Sequence, residues 1–309
     1  MSRLPIQIRI KVSSMLDAFG MRILALWKPI LLHALGGSTE TAQDMWKRMS
    51  PGSTVLFLSP HPDDEFFGCP ALMLMLSDHG CKVTLLTATD GEGFTATGYG
   101  DRVEESRRVA ESKHWSHVAL HLPDGNLGSN ASELDTSIRK AIADSHGQHF
   151  DMIAAPIWCD YHRDHRALAL SLLRVARTLP PETRPNTLAF YYTMSFPTRV
   201  PSVLHPLVLD GKEWLEMIAS WRCAYSCSMS ESAVQLWMAS RRVIGDTIGQ
   251  PFYGEVVLFA PTDDVELLCE AALNGEADAA NIARGRFALT NLPCGIASVM
   301  ARALCRGKW

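Results

Sequence analysis

Thr54-Val55-Leu56-Phe57-Leu58-Ser59-Pro60-His61-Pro62-Asp63-Asp64-Glu65 is the stretch that decides how this 309-residue chain is read. A run of apolar and β-branched residues, the pattern of a buried strand, stops abruptly at a turn carrying a histidine and paired aspartates. Such groups are costly to bury without partners or a cation. The turn is therefore poor packing chemistry and good metal chemistry.

Outward from this stretch the pattern alternates. Glu65–Asp78 reads as a helix containing Pro70, and Lys82–Ala88 as a strand ending in Thr89-Asp90-Gly91-Glu92-Gly93. Asp101–Lys113 reads as a charged helix, and His117–Leu122 as a strand ending in Pro123-Asp124-Gly125. A helix around Ala131–Ser145 and a fourth strand at Asp151–Ile157 follow. Asp160-Tyr161-His162-Arg163-Asp164-His165 then leads into a helix at Arg166–Thr178. Beyond Leu179 the signal loosens, with strands at Leu188–Thr193 and Glu255–Ala260 and helices at Lys212–Ala224 and Glu231–Gly245. Continuous apolar strands alternating with helices predict an α/β fold, a Rossmann-like doubly wound, mostly parallel sheet flanked by helices. The domain is expected over residues 51–262, between an N-terminal helical extension (1–50) and a C-terminal one (263–309).

At 47% hydrophobic residues the chain can bury a large core. Its eight cysteines are scattered, and the nearest pair is a C-x3-C without a second pair, so neither a zinc knuckle nor a disulfide framework is indicated. They are expected as reduced thiols in a cytoplasmic protein. The net charge of −4 hides an asymmetry. Residues 1–36 carry five basic side chains against Asp17, and residues 279–309 five against no acid, leaving residues 37–278 with 19 basic against 32 acidic side chains. The acidic body argues against a nucleic-acid partner, while the basic ends suit an anionic membrane surface.

The stretch from Met15 to Gly37 has apolar residues near helical spacing, interrupted by Arg22, Lys28 and Pro29. It is too short and too charged to span a bilayer, which takes about 20 apolar residues, and no small-residue cleavage site closes it. It either packs on the domain or lies on a membrane, peripherally at the inner face. The tail from Ala288, with Arg302, Arg306 and Lys308, offers the same choice.

In a doubly wound sheet, strand ends flanking the reversal of strand order open into one crevice. If the first and fourth strands are neighbours, as in a 3-2-1-4 order, His61, Asp63 and Asp64 meet His162, Asp164 and His165 there. His61, Asp64 and His165 would then form a set of N and O donors that suits zinc and leaves a coordination position open, as catalytic sites do. Asp63 is placed to take a proton from an attacking water. His162, one helical turn before His165, would face the same cavity, to stabilise an oxyanion as imidazolium or protonate a leaving amine. Asp164 would orient and charge one of the histidines. Taken singly, His-Pro-Asp-Asp could be a turn with a helix cap and H-x-x-H a surface helix start. Their occurrence together, each directly after a strand, is what points to a site.

Pro60–Glu65 with His162–His165, PHPDDE with HRDH, resembles the LmbE/PIG-L family of metal-dependent de-N-acetylases. The resemblance covers about Thr54 to Ala260 and includes Arg102-x-x-Glu105, Leu122-Pro123-Asp124-Gly125, Arg241-x3-Gly245 and Tyr253-Gly254-Glu255. It implies His61, Asp64 and His165 as ligands of Zn2+, or of Fe2+ or another divalent metal, with Asp63 as base and His162 as oxyanion stabiliser or acid. It also implies Arg102 and Asp124 as sugar contacts, although Arg102 could pair with Glu105 and Asp124 could simply make a Pro-Asp-Gly turn. Pro60 stands where the family often has alanine. The activity implied is hydrolysis of the acetamide of an N-acetylglucosamine-type sugar in a glycolipid, lipopolysaccharide or other glycoconjugate, releasing acetate. A metal-dependent amidase of a non-sugar acyl compound and a silent glycan- or lipid-binding protein are the alternatives.

Overall fold

The structure, a computed structural model, describes residues 49–92, 101–143, 149–158, 160, 162–193, 205–208, 211–225, 237–238, 241, 244 and 254–273. The basic ends and the membrane contact expected of them lie outside these residues, as do Tyr253, Gly245 and most of the helix expected at Glu231–Gly245. Among the described residues, no helix is long and apolar enough to cross a membrane.

Seven described strands form one sheet: β1 (Thr54–Ser59), β2 (Lys82–Thr89), β3 (Ser116–Leu122), β4 (Met152–Pro156), β5 (Thr187–Tyr191), β6 (His205–Val208) and β7 (Gly254–Pro261). Their spatial order is β3-β2-β1-β4-β5-β7-β6. The first five pair in parallel, and β7 runs antiparallel to both β5 and β6. Every residue of β4, and all of β1 but Thr54, is buried. This is the pattern of central strands covered on both faces. β1 and β4 are adjacent and the chain reverses its strand order between them, so their carboxyl ends open into one crevice. β6 was not expected. It is four residues long, contains Pro206 and sits at the edge, where a missing N–H is tolerated.

Helices cover both faces: α1 (Asp64–Gly68), α2 (Pro70–Asp78), α3 (Arg102–Ser112), α4 (Ala131–Ala143), α5 (Arg163–Thr178), α6 (Gly211–Ala224) and α7 (Val265–Leu273). One core layer joins Leu56, Leu58, Ile138, Leu168, Leu172 and Ile153 beneath α4, α5 and α7. The other joins Val55, Phe57, Phe66, Leu72, Trp214, Trp221 and Trp237 beneath α1, α2 and α6. α7, within the span 263–309, packs Val265, Cys269 and Ala272 into the first layer. Cys69, Cys81 and Cys269 are free thiols, all buried.

Two helices depart from their expected bounds. Glu65–Asp78 is broken at Cys69 (φ −141, ψ 56) into α1 and α2, with Pro70 opening α2. Proline lacks the N–H that a continuous helix needs, and its ring drives the preceding residue out of the helical region. Conversely, α5 begins at Arg163 rather than Arg166, because the imidazole of His162 caps it by accepting the Asp164 N–H at 3.3 Å. Asp164 and His165 thereby lie in its first turn.

Candidate metal centre

The turn after β1 is built around Asp63, which has φ +95, a conformation uncommon and strained for a residue with a side chain. Asp63 stands at the start of α1 without capping it. Its carboxylate turns instead to Arg102, whose Nη2 donates to Asp63 Oδ2 and to Pro62 O, each at 2.6 Å, while Nη1 donates to Gly91 O at 3.1 Å. Gly91 has φ +67, and a Cβ there would stand 2.8 Å from Nη1 of Arg102 and 3.0 Å from Pro62 Cδ, so the loop admits the guanidinium only with glycine. Burial pushes the Asp63 pKa up to about 6 against the pull of Arg102.

One residue on, Asp64 meets histidines from both motifs. Its Oδ2 lies 2.8 Å from His61 Nδ1 and 3.1 Å from His165 Nε2. The second nitrogen of each imidazole faces carboxylates as well. His61 Nε2 is 3.1 Å from Asp124 Oδ1 and 3.2 Å from Asp164 Oδ2, and His165 Nδ1 is 3.3 Å from Asp160 Oδ1 and 3.2 Å from Thr193 Oγ1. Asp164 is itself pinned, accepting the N–H groups of Gly125 at 2.6 Å and Leu127 at 3.1 Å. The rings of His61, His162 and His165 lie 4.8 to 5.4 Å apart, centroid to centroid.

Burial opposes charge on His61 and His165, but Asp64 overrides it in both. The His61 pKa stands well above the usual value, and that of His165 is raised to about 9. Asp64, by the same contacts, is held well below the carboxylate range despite burial. His162 goes the other way, lowered to about 4 by burial and by the two neighbouring histidines. The carboxylates thus demand positive charge between His61 and His165.

A divalent cation fits that demand. Each of the two imidazoles presents one nitrogen to the shared Asp64 and is held from behind by carboxylate on the other, the usual support of a metal-bound histidine. Nitrogens of His61, His162 and His165 lie within 4.8 Å of one another, as do donor atoms of His61, Asp124 and Asp164, so two further donor groupings surround the same imidazole.

All eight residues singled out from the sequence come to this crevice. Asp164 turns its carboxylate to His61 and meets its neighbour His162 through its backbone N–H. Arg102, 8% exposed, is paired with Asp63, and Asp124 with His61. Sequence reasoning passed over Asp160, Thr193 and Glu65. Asp160 lies five residues before His165 in the quoted motif, a carboxylate at a strand end that could have been flagged. Glu65, wholly enclosed and bonded at 3.1 Å to both Ser59 and Ser106, is pushed by burial to about 8. Thr193 carried no signal, since only β5 brings it to the site.

Residues 56–176 match the family described as PIG-L, GlcNAc-PI de-N-acetylase. No curated protein matches the sequence. Solved structures that share the fold include the following three. N,N'-diacetylchitobiose deacetylase from Pyrococcus horikoshii has a TM-score of 0.54 and 18% identity, covering 74% of this chain and 96% of its own. The conserved protein TT1542 from Thermus thermophilus has a TM-score of 0.52 and 23% identity, covering 68% and 94%. The zinc-inhibited form of teicoplanin deacetylase Orf2 has a TM-score of 0.53 and 14% identity, covering 69% and 100%. The matched segment holds both histidine motifs and the strands that bring them together, and over it this chain is similar to the PIG-L, or LmbE-like, family.

Proposed function

We propose that the protein is a metal-dependent hydrolase that removes acetate from an N-acetylated amino sugar. The observation that carries this reading is the convergence of His61, Asp64 and His165 with Asp63 held beside them by Arg102. His61, Asp64 and His165 would hold the ion, zinc by its liking for mixed N and O donors, with Fe2+ or another divalent metal acceptable to the same set. When bound, it would polarise the acetamide carbonyl and acidify a water.

The chain's own groups do the rest. Asp63, with its pKa of about 6, is ionised near neutrality and takes a proton from the attacking water. His162 is neutral, and because its Nδ1 accepts the Asp164 N–H, its proton sits on Nε2, available to the oxygen that becomes negative as the carbonyl carbon turns tetrahedral. In this reading His162 keeps the oxyanion-stabilising role, as a neutral donor, where the sequence offered either an imidazolium at the oxyanion or an acid to the leaving amine. Breaking the C–N bond sends the Asp63 proton to the leaving amine and frees acetate. Arg102 aims the base, and Asp164, Asp124 and Asp160 aim the histidines. Arg102 and Asp124 are assigned to this support in place of the sugar contact that the family resemblance implies.

The catalytic unit is assigned to residues 51–262, flanked by the two extensions. Their basic charge favours a lipid-linked glycoconjugate met at the inner face of a membrane by a cytoplasmic protein, and absence of binding to anionic vesicles at low salt would remove that preference. The deciding experiment is metal content together with acetate release from a panel of free, soluble-conjugate and lipid-linked N-acetylglucosamine substrates. Asp63→Asn should keep metal and lose turnover by about 10²–10⁴-fold. Metal without acetate release from any sugar would instead indicate a hydrolase of non-sugar amides.

A further inference from the structure

The break between α1 and α2 strands polar backbone in the core. A helix end leaves its last carbonyls and the next helix its first N–H groups unpaired, and water cannot serve them at a buried break. Two charged side chains from the last third of the chain fill both gaps. Glu255 on β7, wholly buried, accepts the N–H of Ala71 at 2.9 Å and of Leu72 at 3.4 Å, the opening of α2. Arg241, 1% exposed, brings Nη2 to Phe67 O at 2.6 Å and Gly68 O at 2.8 Å, the end of α1. The same Nη2 lies 3.0 Å from Tyr192 O, just past β5.

These contacts lead to two of the ligands named above. α1 is five residues long, and Asp64 is its first residue, so the anchor at its far end sets where Asp64 points. Tyr192 precedes Thr193, whose hydroxyl donates to Asp160 at 2.9 Å and stands 3.2 Å from His165 Nδ1. One guanidinium therefore touches the helix that carries Asp64 and the segment that orients His165. We propose that Arg241 and Glu255 are positioning residues of the metal centre, a brace behind the helix break that sets the spacing of Asp64 from His165. The inference rests on the metal reading of the site.

The test uses full-length protein freed of metal and titrated with Co2+, following affinity and the visible absorption of the bound ion, at a temperature where circular dichroism shows each variant folded. Arg241→Met and Glu255→Gln should bind cobalt about tenfold or more weakly, with a changed spectrum. Ile138→Ala, in the core layer on the other face of the sheet, is the control for lost stability alone and should keep wild-type affinity and spectrum. Should Arg241→Met fail to fold, Glu255→Gln, of equal size, carries the comparison. Variants that lose melting temperature yet bind cobalt as wild type does would overturn the brace. Wild-type protein that binds cobalt and releases no acetate counts against the sugar substrate and leaves this comparison standing, whereas wild-type protein that binds none overturns both readings.

Discussion

The Asp63 carboxylate and the Arg102 guanidinium meet at 2.6 Å across 39 residues of chain, and the nitrogen that holds the carboxylate holds the Pro62 carbonyl as well. Arg102 thus fixes both the side chain of the proposed base and the strained backbone it stands on. Removing it frees the base to wander, and an error of about 1 Å in such a group can cost about 10² in rate. Arg102→Ala should therefore lower kcat by roughly one to two orders of magnitude while the protein still takes up metal. Metal analysis beside acetate-release kinetics checks this, and a raised KM with unchanged kcat would return Arg102 to the substrate.

Asp164 joins the two motifs from the other side. Its carboxylate accepts from Gly125 and Leu127 and faces His61 Nε2. In Asp164→Asn the amide NH2 must confront one of those N–H donors, so either the loop or the imidazole loses its hold. A ten- to hundredfold weaker metal affinity is expected, read by competition with a chelator of known strength.

Protonation gives a third expectation. In the metal-free protein His165 titrates at about 9 against an ordinary 6.5, so between those values the folded state binds a proton that the unfolded chain has lost. Stability from this group is complete below pH 6.5 and is lost as pH rises to about 9. His61, also raised, acts in the same direction, as does Glu65, an acid raised from 4.5 to about 8. His162 acts oppositely, but only below pH 6.5. Metal-free protein should therefore become less stable from pH 6.5 to 9 in denaturant titrations. Metal affinity should climb over the same range, because the ion displaces protons from His61 and His165. A flat stability profile would contradict the charge state assigned to these histidines.

Gly68 closes α1 directly against Tyr191. A Cβ there would stand 2.5 Å from Tyr191 Cδ2, and the ring cannot swing aside because its hydroxyl donates to Leu58 O at 2.7 Å in the core. Gly68→Ala should cost about 1–3 kcal/mol or more by overpacking, measurable as a lower denaturant midpoint.

Much of this architecture is legible along the chain. The run Thr54–Ser59 places apolar residues on both faces, and Lys82–Ala88 does so from Leu85 onward, as covered parallel strands do, and the two announce β1 and β2 within a residue. The pairing of PHPDDE with HRDH named the crevice, because parallel strands present their carboxyl ends on one side and the polar residues stand just past those ends. Local signals were weaker where a distant group supplied the deciding contact. The division of α1 from α2 is fulfilled by Arg241 and Glu255, more than 170 residues away, whereas the early start of α5 rests on a local but unusual cap, the imidazole of the adjacent His162.

The sequence by itself determined the strand–helix alternation, the two histidine motifs and the donor types they offer, since periodicity and side-chain chemistry are properties of short segments. Tertiary structure decided which group stands behind the base and behind each imidazole: Arg102 on Asp63, Asp124 and Asp164 on His61, Asp160 and Thr193 on His165. Apart from Asp160, five residues before His165, the partners come from distant segments into a buried crevice where water is displaced and each charge must find its partner, and no local spacing encodes them.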